Sequence, residues 1–96
     1  MTITDIRVRK ILSEGRLRGV ISITIDDAIA IHDIKVVQGE ERLFVAMPSR
    51  KDDNGVFRDI VHPITANSRK DVEEKILNAF LTEMEKKVTD YGELAN

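Results

Sequence analysis

Leu17-Arg18-Gly19-Val20-Ile21-Ser22-Ile23-Thr24-Ile25 alternates Leu17, Gly19, Ile21, Ile23 and Ile25 with Arg18, Val20, Ser22 and Thr24. A period of two sustained over nine residues, rich in β-branched side chains, predicts a half-buried strand. Upstream, Ile3 to Leu12 sets Ile6 and Val8 against Arg7 and Arg9, predicting a strand with one apolar and one basic face. Glu14-Gly15-Arg16 closes the hairpin between the two, and Asp26-Asp27 supplies a tight turn into a third strand, Ala28 to Val37. In that strand strict alternation sends Ile29, Ile31 and Val37 one way and Ala30, Ile34 and Val36 the other, the pattern of a central strand. A turn at Gln38-Gly39-Glu40-Glu41 leads into Arg42 to Met47, which Pro48 ends for lack of an amide hydrogen. A fifth strand is expected at Val56 to Val61, after a long loop from Pro48 to Gly55.

Beyond His62-Pro63 the period changes. Val72, Ile76, Leu77, Phe80, Leu81, Met84 and Val88 recur at three- and four-residue intervals, predicting a helix with one broad apolar face. Asn67 or Ser68 is the expected cap, with Asp71 three residues after Ser68, and Lys86-Lys87 suits the carbonyl end. The expected fold is α+β: a single antiparallel sheet of about five strands followed by a C-terminal helix packed on it. Residues 1–88 form one domain in this reading, and 89–96 a polar, frayed tail.

Composition agrees with one soluble domain. The 96 residues are 42% hydrophobic and 33% charged, with a formal net charge of −2. No apolar run reaches the 18 or so residues of a membrane span, and Asp5, Arg7, Arg9 and Lys10 interrupt any leader-like segment, so a cytosolic chain with no membrane partner is expected. The absence of cysteine excludes disulfides, thiol nucleophiles and zinc knuckles. The charge is uneven. Residues 1–70 hold twelve Lys/Arg against ten Asp/Glu, and residues 71–96 hold three against seven, so any basic patch belongs to the N-terminal part.

His32-Asp33-Ile34, Leu43-Phe44-Val45-Ala46-Met47-Pro48-Ser49 and Phe57-Arg58-Asp59-Ile60-Val61-His62-Pro63-Ile64, at this spacing, closely resemble the stage V sporulation protein G (SpoVG) family over about residues 1 to 85. The resemblance implies a small bacterial regulator, dimeric through its sheet, that binds DNA and RNA. It further implies an influence on sporulation, septation in cell division, and virulence or envelope genes. Local departures are Asp53-Asn54-Gly55 where members often have Pro-Asp-Gly, Arg42 where a second Gly is common, and Thr65 where Asn is usual. They bear on loop conformation and nucleic-acid preference.

Catalysis finds little support. There is no phosphate-binding Gly-rich loop, no Gly-x-Ser-x-Gly elbow and no His-Glu-x-x-His. His32, Asp33, Asp59 and His62 suggest a metal site on paper, but strand alternation turns neighbours to opposite faces, so structural hydrogen bonding is the stronger reading for both histidines. No catalytic residue, metal, cofactor or small-molecule substrate is expected. Phe44 and Phe57 can stack on bases, yet strand aromatics are usually core. Two basic pairs remain. Arg50-Lys51 lies in the long loop and Arg69-Lys70 in the expected first helical turn, where free amides also favour phosphate. Arg7 and Arg9 are weaker candidates, since a charged outer strand face is ordinary. The alternative to a nucleic-acid-binding homodimer is a protein-interaction module that uses its helix or a sheet edge.

Overall fold

In the computed structural model, which describes the backbone of residues 1–95 and the side chains of 1–86, β1 (Ile3–Ile11), β2 (Leu17–Ile25), β3 (Ile29–Gln38) and β4 (Leu43–Ala46) form one antiparallel sheet in chain order. β5 (Ser49–Lys51) and β6 (Phe57–Asp59) form a separate two-stranded ribbon, and α1 spans Ala66–Ala95. The α+β class is as expected. The fifth strand is not part of the main sheet, because Ser49–Lys51, read from sequence as loop, pairs with it instead. Among the described residues no helix is long and apolar enough to cross a membrane.

The turn between β2 and β3 is built by two aspartates. Asp26 and Asp27 both have φ of 53°, and Ala28 N donates to Ile25 O at 2.9 Å, the left-handed two-residue turn that matches strand twist. Asp tolerates this region better than most residues. The turn is also tied to β1: Thr2 N donates to Asp26 Oδ1 at 2.9 Å, and Asp27 N to Thr4 Oγ1 at 3.0 Å.

Bulges decide which side chains reach the core. Ile21 pairs with Ile34 and Ile23 with Ile31, so Ser22 faces both His32 and Asp33, and Asp33 takes a φ of 61°. The extra residue shifts the alternation, bringing Ile31, Ile34 and Val36 to one face. The sequence expectation that Ile31 and Ile34 diverge is therefore corrected. A bulge at Arg18 likewise carries Leu17 off the face of Gly19 and into register with Val37, and Thr4 and Arg9 are the extra residues of β1.

The core is Ile21, Ile23, Ile34, Val36 and Val45 from the sheet with Val72, Ile76 and Phe80 from α1, bordered by Ile3, Ile6, Val8, Ile11, Leu77 and Met84. Burial of a Phe80-sized side chain contributes roughly 1.5–3 kcal/mol. Its ring lies on Gly19, where a Cβ would stand 2.5 Å from Phe80 Cε1, so glycine is required for this approach. The expected apolar stripe holds except at Leu81, which is 41% exposed. The side chains of Lys87, Val88 and the polar tail lie outside the described part of the structure.

The helix begins earlier than sequence suggests. Thr65 Oγ1 accepts from Ser68 N at 3.0 Å, while Thr65 N donates to Ser68 Oγ at 3.3 Å. This reciprocal pair makes Thr65 the cap and Ser68 its third-position partner, in place of Asn67 or Ser68 with Asp71. Arg69 N, bonded to Thr65 O at 3.0 Å, makes the first bond of the helix ladder.

Candidate nucleic-acid interface

The ribbon exists because Asp52 organises its tip. Asp52 Oδ1 accepts from Asn54 N at 2.9 Å and Val56 N at 3.0 Å, and Gly55, with φ of 82°, donates its amide to Asp52 O at 3.0 Å. The other carboxylate oxygen, Oδ2, accepts from Arg58 Nε at 2.7 Å. The Arg58 guanidinium, followed by the Val56 amide, holds the Asp52 carboxyl below its ordinary value of 3.8, although burial opposes the shift.

Register then sorts the ribbon's side chains. Arg50 lies opposite Arg58, and Lys51 opposite Phe57. Arg50 and Lys51, neighbours in sequence, therefore occupy different faces of a strand and do not act as one loop-borne pair. Like charges set directly across a ribbon are unfavourable. Arg58 is relieved by Asp52, whereas Arg50 has no ion-pair partner among the described residues. On the opposite face Lys51 Nζ stands 5.6 Å from the ring centroid of Phe57, a residue 68% exposed. Phe57 is thus no core residue, and Phe44, half-buried and paired with Val37, lies on the sheet face away from α1.

Arg69 and Lys70 fall in the second turn of α1, not the first. They line a groove of about 340 Å³ with Arg42, Ala66, Glu73, Glu74 and Leu77. Their carboxylate contacts are long, 3.9 Å from Arg69 to Glu73 and 4.0 Å from Lys70 to Glu74, and exposed pairs of this kind contribute about 0.3–0.5 kcal/mol. The Ser68 amide is already taken by Thr65, so less free backbone is left at the helix start than sequence implied. The ribbon and the groove share no lining residue: Arg50, Lys51 and Arg58 stand with Asp52, Asp53 and Asp59, and Arg42, Arg69 and Lys70 with Glu73 and Glu74.

Arg7 and Arg9 lie on β1. Arg7 Nε bonds Asp5 Oδ2 at 3.0 Å, and Arg9 Nε donates to Ser22 Oγ at 3.4 Å. Ser22, only 7% exposed, also meets His32 Nδ1 at 2.9 Å, and His62 Nδ1 donates to Pro63 O at 3.1 Å. Both histidines are engaged in hydrogen bonds. No set of three His, Asp or Glu side chains gathers as metal ligands among the described residues.

Sequence reasoning missed Arg42 and Arg58. Arg42 stands alone in the chain, and only folding brings it to Arg69 and Lys70. Arg58 was legible only through its register with Arg50, which needed β5 to be recognised as a strand.

The SpoVG family model matches residues 1–82. A relative from Agathobacter rectalis is 53% identical over 85 residues, covering 88% of this chain and 98% of its own length. Others from Acholeplasma laidlawii and Desulforudis audaxviator are 52% and 50% identical, over 93% and 83% of this chain and 95% and 91% of theirs. All three carry the name "Putative septation protein SpoVG". With the α+β fold and a match over nearly the whole described chain, this protein belongs to the SpoVG family.

Proposed function

We propose that the chain is a nucleic-acid-binding regulatory protein, acting without catalysis in gene regulation tied to sporulation and septation, and that it works as a cytoplasmic homodimer. The observation that carries the nucleic-acid reading is the Arg50–Arg58 pair: two guanidiniums directly opposed on a short ribbon, of which Arg58 alone is ion-paired among the described residues, to Asp52. An anionic ligand relieves that repulsion, and a two-stranded ribbon is of a size to enter a DNA major groove. The Arg42, Arg69 and Lys70 groove offers a second set of phosphate contacts. Net negative charge is no obstacle, because at about 0.15 M salt charges more than roughly 8 Å away are heavily screened.

A second copy is favoured by exposed apolar side chains. Val56, Phe57, Ile60 and Ile64 are all more than half exposed, Ile64 at 87%. Ile64 also lines an apolar cleft of about 350 Å³ with Met1, Ile25, Ile31, Met47 and Pro63. Two-fold symmetry presents each basic surface twice. The same apolar surface favours the alternative, a module that binds only protein.

Anisotropy titrations of a short duplex and a short single strand across 50–200 mM salt separate the two. A nucleic-acid binder weakens linearly in log–log form, by about 0.9 per duplex phosphate contact, and Arg50→Ala/Arg58→Ala makes the duplex slope shallower by about two such contacts. Absence of binding to both oligonucleotides refutes the reading.

A further inference from the structure

The sheet face turned away from α1 is a surface in its own right. Cross-strand register gives its rows: Lys10, Val20, Lys35 and Ala46; Leu17, Val37 and Phe44; Arg7 and Ser22 beside the His32-Asp33 bulge; Asp5, Thr24 and Ala30. Arg9 joins it through Ser22. Four cations, Arg7, Arg9, Lys10 and Lys35, thus share a face with two carboxylates, Asp5, already bonded to Arg7, and Asp33 in the bulge. This occurs in a chain whose net charge is −2. None of Leu17, Val20, Val37 and Phe44 belongs to the core cluster, so their apolar surface lies between and beside the lysines.

We propose that this face binds single-stranded nucleic acid, with Lys10 and Lys35 on the backbone phosphates and Phe44, with its apolar neighbours, under unstacked bases. The inference rests on the nucleic-acid reading above and assigns it a second surface with a different preference. A four-stranded sheet, at about 4.8 Å per strand, is too broad to enter a duplex groove about 12 Å wide, whereas splayed bases of a single strand lie flat on aromatic and apolar side chains while cations follow the backbone. His32 adds an exposed ring held in place by Ser22 Oγ. A second copy fits this face less well. Lys10 and Lys35 flank Val20 within one row that holds no carboxylate, so apolar packing there buries two ammonium groups.

The test compares Lys10→Ala/Lys35→Ala with Arg50→Ala/Arg58→Ala in the full chain, using a twelve-nucleotide oligothymidylate, the matching oligouridylate and a twelve-base-pair duplex. Loss of Lys10 and Lys35 is expected to weaken single-strand binding about tenfold and to reduce its salt slope by about 1.4, or about 0.7 per lost contact. Duplex affinity should stay within about twofold, and the ribbon variant should show the reverse pattern. Phe44→Leu, which keeps the bulk, is expected to weaken single-strand binding several-fold with an unchanged salt slope. If the lysine variant leaves single-strand affinity and slope unchanged while the ribbon variant removes them, this assignment is wrong and the nucleic-acid reading survives. If the wild type binds none of the three oligonucleotides, both fall. Lysine-dependent binding of an oligoglutamate without oligonucleotide binding, or a change of mass in light scattering on loss of the lysines, replaces the occupant with an acidic peptide or a second copy and equally overturns the proposal.

Discussion

Replacing Gly19 by alanine is expected to be among the most damaging single-methyl changes in this protein. The new Cβ would stand 2.5 Å from Phe80 Cε1, 2.8 Å from Cδ1 and 3.3 Å from Lys10 O. Carbon atoms rest about 3.5–4.0 Å apart, so the overlap is about 1 Å. Phe80 is wholly buried among Ile21, Val36 and Ile76 and cannot swing into solvent to relieve it. Overpacking of this kind costs about 1–3 kcal/mol. Taking about 2 kcal/mol, and about 4–8 °C per kcal/mol for a domain of this size, thermal unfolding should fall by roughly 8–16 °C at fixed protein concentration. Urea denaturation of Gly19→Ala, Phe80→Leu and the double variant forms the decisive cycle. A smaller side chain at 80 makes room for the methyl, so the double variant should be more stable than additivity allows, by about 0.5–3 kcal/mol. A Gly19→Ala protein within about 0.5 kcal/mol of wild type, or strict additivity, would show that α1 does not rest on β2 at this point.

Thr65→Ala should cost about 1 kcal/mol in urea denaturation through loss of the cap, with Asn67→Ala within about 0.5; the opposite order would place the cap at Asn67. Because the Asp52 carboxyl is held below 3.8, its contribution to the ribbon is present above that pH and is lost as pH falls through the lower folded value; the Asn54 and Val56 amides should titrate by NMR with a midpoint below 3.8, moving up in Arg58→Ala, and a wild-type midpoint at or above 3.8 refutes the geometry. Light scattering at micromolar concentration should report twice the 10.9 kDa chain mass, with Phe57→Ser/Ile64→Ser shifting the equilibrium to monomer; a monomeric wild type contradicts the dimer. EDTA should leave the melting temperature unchanged, and a large loss restored by one metal would show a site that sequence reasoning discounted.

The strands and helix were legible where the side-chain period is unbroken. From Gly19 to Ile25, β2 follows its alternation, and Val72, Ile76 and Phe80 fall on the buried helix face as their spacing dictates. Bulges are where alternation misleads, since nothing in His32-Asp33 announces that an aspartate will take a left-handed conformation. Ser49–Lys51 escaped because a three-residue polar strand has no apolar period, and its pairing depends on the turn that Asp52 builds. Thr65 was passed over because capping is a matter of hydrogen-bond reach rather than composition. For the candidate sites, Arg50, Lys51, Arg69 and Lys70 could be picked out as exposed cations. Their grouping could not, since Arg58 and Arg42 join them only through register and packing. Phe44 and Phe57 went the other way: burial statistics put them inside, and the structure puts neither in the core.

The order of the four-stranded sheet, in which each strand pairs with the next along the chain, bears on the speed of folding. Each ladder grows from a short turn, so little entropy is lost in loop closure before pairing is rewarded. The β2–β3 hairpin, with its preset Asp26-Asp27 turn and its Ile21–Ile34 and Ile23–Ile31 pairs, is the natural nucleus. Docking of Phe80 onto Gly19 joins residues far apart in the chain and must wait for the sheet. Helix packing therefore becomes the late step, so that cutting back Ile76 or Phe80 speeds unfolding more than it slows folding, whereas changes at the aspartate turn act on the folding rate.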